Sequence, residues 1–310
     1  MGDAMWTCDV LKKRAAATLS PIYWWSVLAV LIYSMILSVS GSVLSVLESL
    51  TAPFYSLFAI FLGRDSLKDN PSIQEIIRFA MPVITFSAVL FLLLFLLVNG
   101  FAVFFQNPLY CGLMKWFCAQ REKKDPRAYQ LLFTAFNRQR YRHITAGMAW
   151  RLLWMTLWSA AAAIPFVLPA ACAVVFAGNA DGYIYRIAGK MNQTRDAAVA
   201  LVVLCFILLY IIALILSLMI IMNRSYAYFY VPFLLVDEPE IGFREAIKKS
   251  IRMSGGQKGR MFLLDLSFIG WWILVMMTCG IGAIFLLPYI MTTYTELYFT
   301  RKAELTDPIN

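Results

Sequence analysis

Two carboxylates, Asp265 and Glu296, are among the few acids in the apolar stretches of this 310-residue chain. They stand 16 and 15 residues from Ile281, the middle of Gly280-Ile281-Gly282. If the chain turns there between two antiparallel helices, both acids sit at one depth, about one turn inside the membrane edge. Carboxylates brought together and out of water hold a proton that neither holds alone, which suits proton or cation sensing. The competing reading is structural: each acid reaches the headgroups or pairs with Lys258, Arg260 or Arg301. A charge at mid-bilayer costs at least ~2.5 kcal/mol, and less near the edge.

A second constellation is basic. Arg244, Lys248, Lys249 and Arg252 fall on one arc of a helix whose opposite arc carries Phe243, Ala246, Ile247, Ser250, Ile251 and Met253. Asp237 can cap this helix, Pro239 fits an early position, and Gly255-Gly256 ends it. Such a helix is expected in the headgroup plane, apolar face down, with Lys258 and Arg260 just beyond. Its charges would contact anionic lipid or a cytosolic partner.

Catalytic signatures are missing. The chain has no phosphate-binding glycine loop, no G-x-S-x-G and no H-E-x-x-H, and His143 is its one histidine. Six scattered cysteines include no C-x-x-C and read as buried apolar thiols. No cofactor or metal is expected, and the chain reads as a non-enzyme.

These residues need a membrane to position them. Hydrophobic residues make up 61% and charged residues 15%, with mean hydropathy +0.70. Soluble domains run at roughly 45–50% apolar and about 25% charged. The apolar residues form blocks, which predicts an all-α, polytopic helix bundle treated as one domain over 1–310. The predicted spans are 22–47, 80–105, 144–176, 197–222, 261–278 and 283–300, with basic linkers at 106–143 and 223–260. Phe54 to Leu62 is too short to cross and is expected at the outer interface. Asp125-Pro126 is expected to start a linker helix with one apolar face, Tyr129, Leu132, Phe133 and Phe136. That face meets either the inner leaflet or the bundle's own base. Gly178 to Asp196 is expected as a polar loop, and Pro288 as a kink in the last span.

The Lys and Arg residues test this layout. Six spans place 20 of them on one side and 6 on the other, with Arg151 inside a span. By the positive-inside rule both termini face the cytosol. The net charge of +9 then belongs to the inner leaflet, where each basic residue near anionic lipid contributes ~1 kcal/mol. Spread over loops without a nucleic-acid motif, it does not point to nucleic acid.

Ser250, Met253, Gly255-Gly256, Lys258, the run LSFIGWW at Leu266–Trp272, Gly280-Ile281-Gly282 and Leu287-Pro288-Tyr289 follow one another in the last third. With Leu11-Lys12, Ala15, Tyr23-Trp24 and the tyrosine-rich run into an acidic-proline step at Tyr226 to Glu238, this closely resembles a bacterial integral-membrane family, domain of unknown function 975. Gln257 between glycine and lysine and Phe285 in place of a tryptophan depart from that pattern. The resemblance implies a membrane-embedded helical protein and supplies no activity. The expected role is a non-enzymatic scaffold or accessory subunit of the cell (plasma) membrane, binding anionic headgroups, a protein partner or its own copies. The alternative is a transporter or channel-like protein for a small or lipidic solute, using the 261–300 hairpin.

Overall fold

Outward-facing leucine and isoleucine set the architecture. The computed structural model describes residues 6–49, 73–188 and 192–306, and among these there is no strand. Four helical stretches are long and apolar enough to cross a membrane: Cys8–Ser38, Leu92–Arg121, Leu204–Asp237 and Lys258–Met277. Leu92, Leu93, Leu96 and Leu97 lie about half exposed, as do Ile211, Ile212 and Ile215. A soluble protein rarely shows contiguous apolar surface on this scale, whereas lipid is a good solvent for it. Only a helix or a closed barrel satisfies every backbone group inside hydrocarbon, and this chain uses helices. It is a membrane protein.

The helices are α1 (Cys8–Leu19), α2 (Tyr23–Ser49), α3 (Ile73–Phe101), α4 (Asn107–Arg121), α5 (Arg138–Ala188), α6 (Asn192–Ala227), α7 (Val231–Asp237), α8 (Phe243–Ser254), α9 (Lys258–Leu266), α10 (Ile269–Met277) and α11 (Ala283–Thr306). Thr7 caps α1, its hydroxyl accepting the Val10 N–H. A π-helical turn, Ala102–Gln106, joins α3 to α4 just before Pro108, which has no N–H to give. The Phe104 carbonyl in that turn receives the Tyr141 hydroxyl at 2.8 Å.

The chain divides into two compact units, residues 1–148, 232–241 and 267–310, and residues 149–231 and 242–266. In the first, α11 is central and packs against α1, α2 and α4. Here the expected linker 106–143 is corrected. Its first half is α4, whose Leu109, Cys111, Leu113, Met114, Trp116 and Phe117 are buried. Aromatic and aliphatic residues outweigh the few charges that made the segment look like a solvated linker.

Asp125 does not start a helix. Its carboxylate accepts the Arg127 N–H at 2.9 Å, closing a turn, and a 3-10 helix follows at Tyr129–Phe136. That element packs on α4, with Leu132 and Ala135 buried and Phe133 exposed. The protein's own base, and not the leaflet, takes most of the face. Gly112 makes the approach possible, because a Cβ there would lie 1.8 Å from the Leu132 carbonyl oxygen.

In the second unit, the Ser217 hydroxyl on α6 donates to the Ala162 carbonyl of α5. The Arg224 guanidinium stands 3.5 Å from the centre of the Trp158 ring. The expected loop at Gly178–Asp196 is largely helix, since α5 runs to Ala188 and α6 begins at Asn192. Scattered Gly, Asn and Asp lower helix propensity by tenths of a kcal/mol each, too little to stop a long helix. The stretch Phe54–Leu62 lies outside the described residues.

The region 261–278 is two helices, α9 and α10, separated at Ser267-Phe268. The following turn falls at 278–282, with Cys279 at φ 51° and Gly280 at φ 87°. The helix α11 runs through Pro288 without a break.

Glycine-to-alanine changes test the α4 seat. In a helix this change normally stabilises by up to ~1 kcal/mol. Gly270→Ala, with nothing within 4 Å, should follow that rule. Gly112→Ala should instead destabilise by about 1–3 kcal/mol. Thermal unfolding of the detergent-solubilised full chain reads both signs, and a stabilised Gly112→Ala would contradict the packing.

Candidate functional site

Polar chemistry gathers on the second half of α11. Leu286, Pro288, Ile290, Thr292 and Thr293 are buried along it, so the residues that follow are carried into the interior of the first unit. Glu296 is only 4% exposed. Its two oxygens take different partners: Oε2 faces the Arg121 Nε at 3.2 Å, and Oε1 accepts the Thr18 hydroxyl at 3.2 Å. Arg121 ends α4 and Thr18 lies near the end of α1, so one carboxylate ties both helices to α11. The Arg121 guanidinium also stands 4.3 Å over the Phe299 ring, holding it above the same helix.

One turn further, a second acid–base group closes. Asp237, at the end of α7, accepts the Tyr298 hydroxyl at 2.7 Å and pairs with Lys302. Glu238 reaches the same ammonium at 3.4 Å. Phe233 and Tyr298 are buried and stack with ring centres 5.1 Å apart. Burial works against the charge on Lys302, but its bonds to Asp237 and the charge of Glu238 prevail, so its pKa is raised. Arg301 pairs with Glu304 along the helix.

Asp265 belongs to the other unit. It lies half-buried on α9 and accepts the Tyr226 hydroxyl at 2.7 Å. The level placement of Asp265 and Glu296 assumed one unbroken helix ahead of the turn, and the chain breaks at Ser267-Phe268. Each acid is served by its own partners. Among the described residues, no group of three His, Cys, Asp or Glu stands together as a metal site. His143 is committed to the backbone, with Nε2 2.5 Å from the Ile241 carbonyl. Cys111 and Cys118 are buried as expected, whereas Cys205 and Cys279 are exposed.

The basic helix forms, with a shifted start and a different use of its apolar face. It begins at Phe243 after Gly242, which has no side chain to cap it, and Asp237, five residues before, is engaged with Tyr298 and Lys302. Gly255 ends it, followed by Gly256 at φ 69°. Ala246, Ile247, Ser250 and Met253 are buried. The Ser250 hydroxyl donates to the Ala227 carbonyl at 2.8 Å and accepts the Tyr230 N–H at 3.1 Å. It thereby satisfies two backbone groups where α6 ends. Protein therefore covers most of the face expected to enter lipid, with Ile251 left exposed and Phe243 half-buried.

Arg244, Lys248 and Arg252 remain exposed and Lys249 is half-buried. Arg244 stands 5.5 Å from the centre of the Trp150 ring. Lys258 donates to the Asn223 side chain at 2.6 Å, and Arg260 is half-buried on α9.

Sequence reasoning missed Arg121, Thr18, Asp237 and Tyr298 as partners. Arg121 and Glu296 are 175 residues apart, and no local spacing joins them. Asp237 was visible as an acid before a proline-containing turn, a pattern that suits a helix cap equally well.

The chain belongs to the family described as protein of unknown function (DUF975), whose model matches residues 11–303. No curated protein and no solved structure matches the chain.

Two measurements check the α11 network. A double-mutant cycle of Arg121→Ala and Glu296→Gln should give a coupling of about 1–2 kcal/mol in unfolding stability, and additive effects would remove the lock. The raised pKa of Lys302 sets the sign of its pH dependence. Its contribution is fully present below the ordinary lysine pKa and is lost as pH rises through the folded value. Melting curves of the parent and Lys302→Met should differ by a constant amount at neutral pH and converge in strong alkali.

Proposed function

We propose that this member of the DUF975 family is a non-enzymatic, multi-pass scaffold or accessory subunit of the cell membrane. In this reading it has six spans and both termini in the cytosol, and it docks anionic headgroups on the inner leaflet through the basic face of α8. One observation carries the reading. Ala246, Ile247, Ser250 and Met253 of the apolar arc of α8 are buried in protein while Arg244, Lys248 and Arg252 are exposed. A helix so anchored offers its surroundings mainly charge. It acts as a fixed electrostatic foot on a membrane surface, and salt should weaken its contacts.

The transporter reading draws on Glu296 as an acid inside the helices. Its bonds to Arg121 and Thr18 fit a helix clamp better than an open relay. With both oxygens bonded, the carboxylate has little left for a moving proton or solute. No catalytic constellation supports an enzyme.

The test uses the full chain extracted from vesicles of mixed phosphatidylglycerol and phosphatidylcholine, followed by quantification of bound lipid. Each basic residue contributes ~1 kcal/mol near an anionic surface. Lys248→Gln, Lys249→Gln and Arg252→Gln together should lower phosphatidylglycerol enrichment by at least about tenfold at low salt. The parent should lose enrichment in high salt as well. Enrichment that ignores both the triple change and salt would end the lipid-docking reading.

A further inference from the structure

We infer that a second lipid site exists in the first unit: a cleft between α1–α2 and the α10–α11 hairpin that seats one acyl chain of an anionic phospholipid, with its headgroup at Lys12. The cleft has a volume of about 650 Å³, within the range of sites that bury most of a small ligand. Ala16, Leu19 and Tyr23 line one wall, and Trp271, Phe285 and Tyr289 line another.

Two of the polar groups on these walls are already used inside the protein. The Tyr23 hydroxyl donates to the Phe285 carbonyl at 3.3 Å, and the Thr278 hydroxyl donates to the Val275 carbonyl at 2.9 Å. The lining is otherwise mainly hydrocarbon and aromatic ring, so a polar solute would give up most of its hydration without replacement bonds, at about 1–3 kcal/mol per unmatched group. A hydrocarbon chain gives up nothing.

One end of the cleft is charged. Lys12 precedes Ala16 by four residues and therefore lies one turn along the same face of α1. Its ammonium donates to the Ser267 carbonyl at 3.1 Å and stands 4.5 Å over the Phe268 ring. Phe268 in turn meets Tyr289, a wall residue, edge to face at 5.8 Å. The cation is thus fixed through Phe268 to the end of an apolar slot. An ammonium has three donors, and one bond to Ser267 leaves capacity for a phosphate oxygen.

Lys13 and Arg14 are exposed on the same helix and raise the local positive charge. Ala16, Ser20 and Trp271 are exposed, so the slot opens outward and a chain can enter from the side. An apolar slot ending in a fixed cation is complementary to an anionic amphiphile.

The experiment places a benzophenone-bearing amino acid at position 20 of the full chain, reconstituted in vesicles of equal phosphatidylglycerol and phosphatidylcholine. After illumination, mass spectrometry of the intact protein should show one phospholipid adduct. Phosphatidylglycerol should be preferred by about fivefold, the weight of one interfacial lysine. Lys12→Gln should abolish the preference and keep the adduct, and Lys12→Arg should restore the preference. Ala16→Trp, which fills the slot, should abolish the adduct in protein that still elutes as a single species. The Lys248, Lys249 and Arg252 changes should leave the position-20 adduct unaltered, which separates this site from the α8 surface. A crosslink to a second copy or to another segment of the chain would overturn the assignment. So would a lipid preference indifferent to Lys12.

Discussion

A carboxylate withdrawn from solvent needs a fixed partner, and in this protein that demand falls on Glu296. With Arg121 on one oxygen and Thr18 on the other, the acid specifies which helix ends meet α11 and at what register. Apolar packing alone could slide by a turn, because leucine and isoleucine faces are interchangeable to within about a kcal/mol. An ion pair cannot slide without stranding a charge, which is the main cost of breaking a buried pair. The Asp237–Tyr298–Lys302 group adds a second fixed point on the same helix, tying down the end of α7. Two polar fastenings thus give a largely apolar unit a single arrangement.

The second unit uses hydrogen bonds for the same purpose. Ser250 reaches back to Ala227 and Tyr230, Tyr226 donates to Asp265, and Lys258 donates to Asn223. These are short, directional contacts between helix ends, where backbone groups lack partners of their own. Several residues that carry the family resemblance therefore have defined structural positions. Ser250 completes the end of α6, Met253 is fully buried, and Gly256 and Gly280 adopt left-handed conformations open to glycine without strain.

Helical class and membrane character were legible because apolar blocks are a direct readout of solvent. The Gly-Gly end of the basic helix and the turn near Gly280 were legible too, since backbone conformation there depends on one residue type. The α4 helix was not. Its Lys115 and Arg121, with the basic residues that follow, made the segment look like a linker, although Trp116 and its neighbours are buried. Charge marked which residues meet water or a counter-ion, and it did not mark what the helix packs against. Partner choice was equally hidden: Arg121 and Glu296 meet only after the intervening helices are in place. Periodicity drew an apolar arc on α8 of which Ala246, Ile247, Ser250 and Met253 are buried, but periodicity cannot say whether lipid or protein will cover it.

The π-helical turn at Ala102–Gln106 separates two environments on one rod: lipid-facing leucines in α3 precede it, and the buried face of α4 follows. Such a turn holds one residue more than an α-helical turn needs. Absorbing that residue into regular helix would rotate α3 by about 100° and advance it by about 1.5 Å relative to α4. The bond from Tyr141 to Phe104 is the pin that the slip would have to release. The junction thus sets the register between the lipid-facing segment and α4, and the Tyr141 bond holds it there.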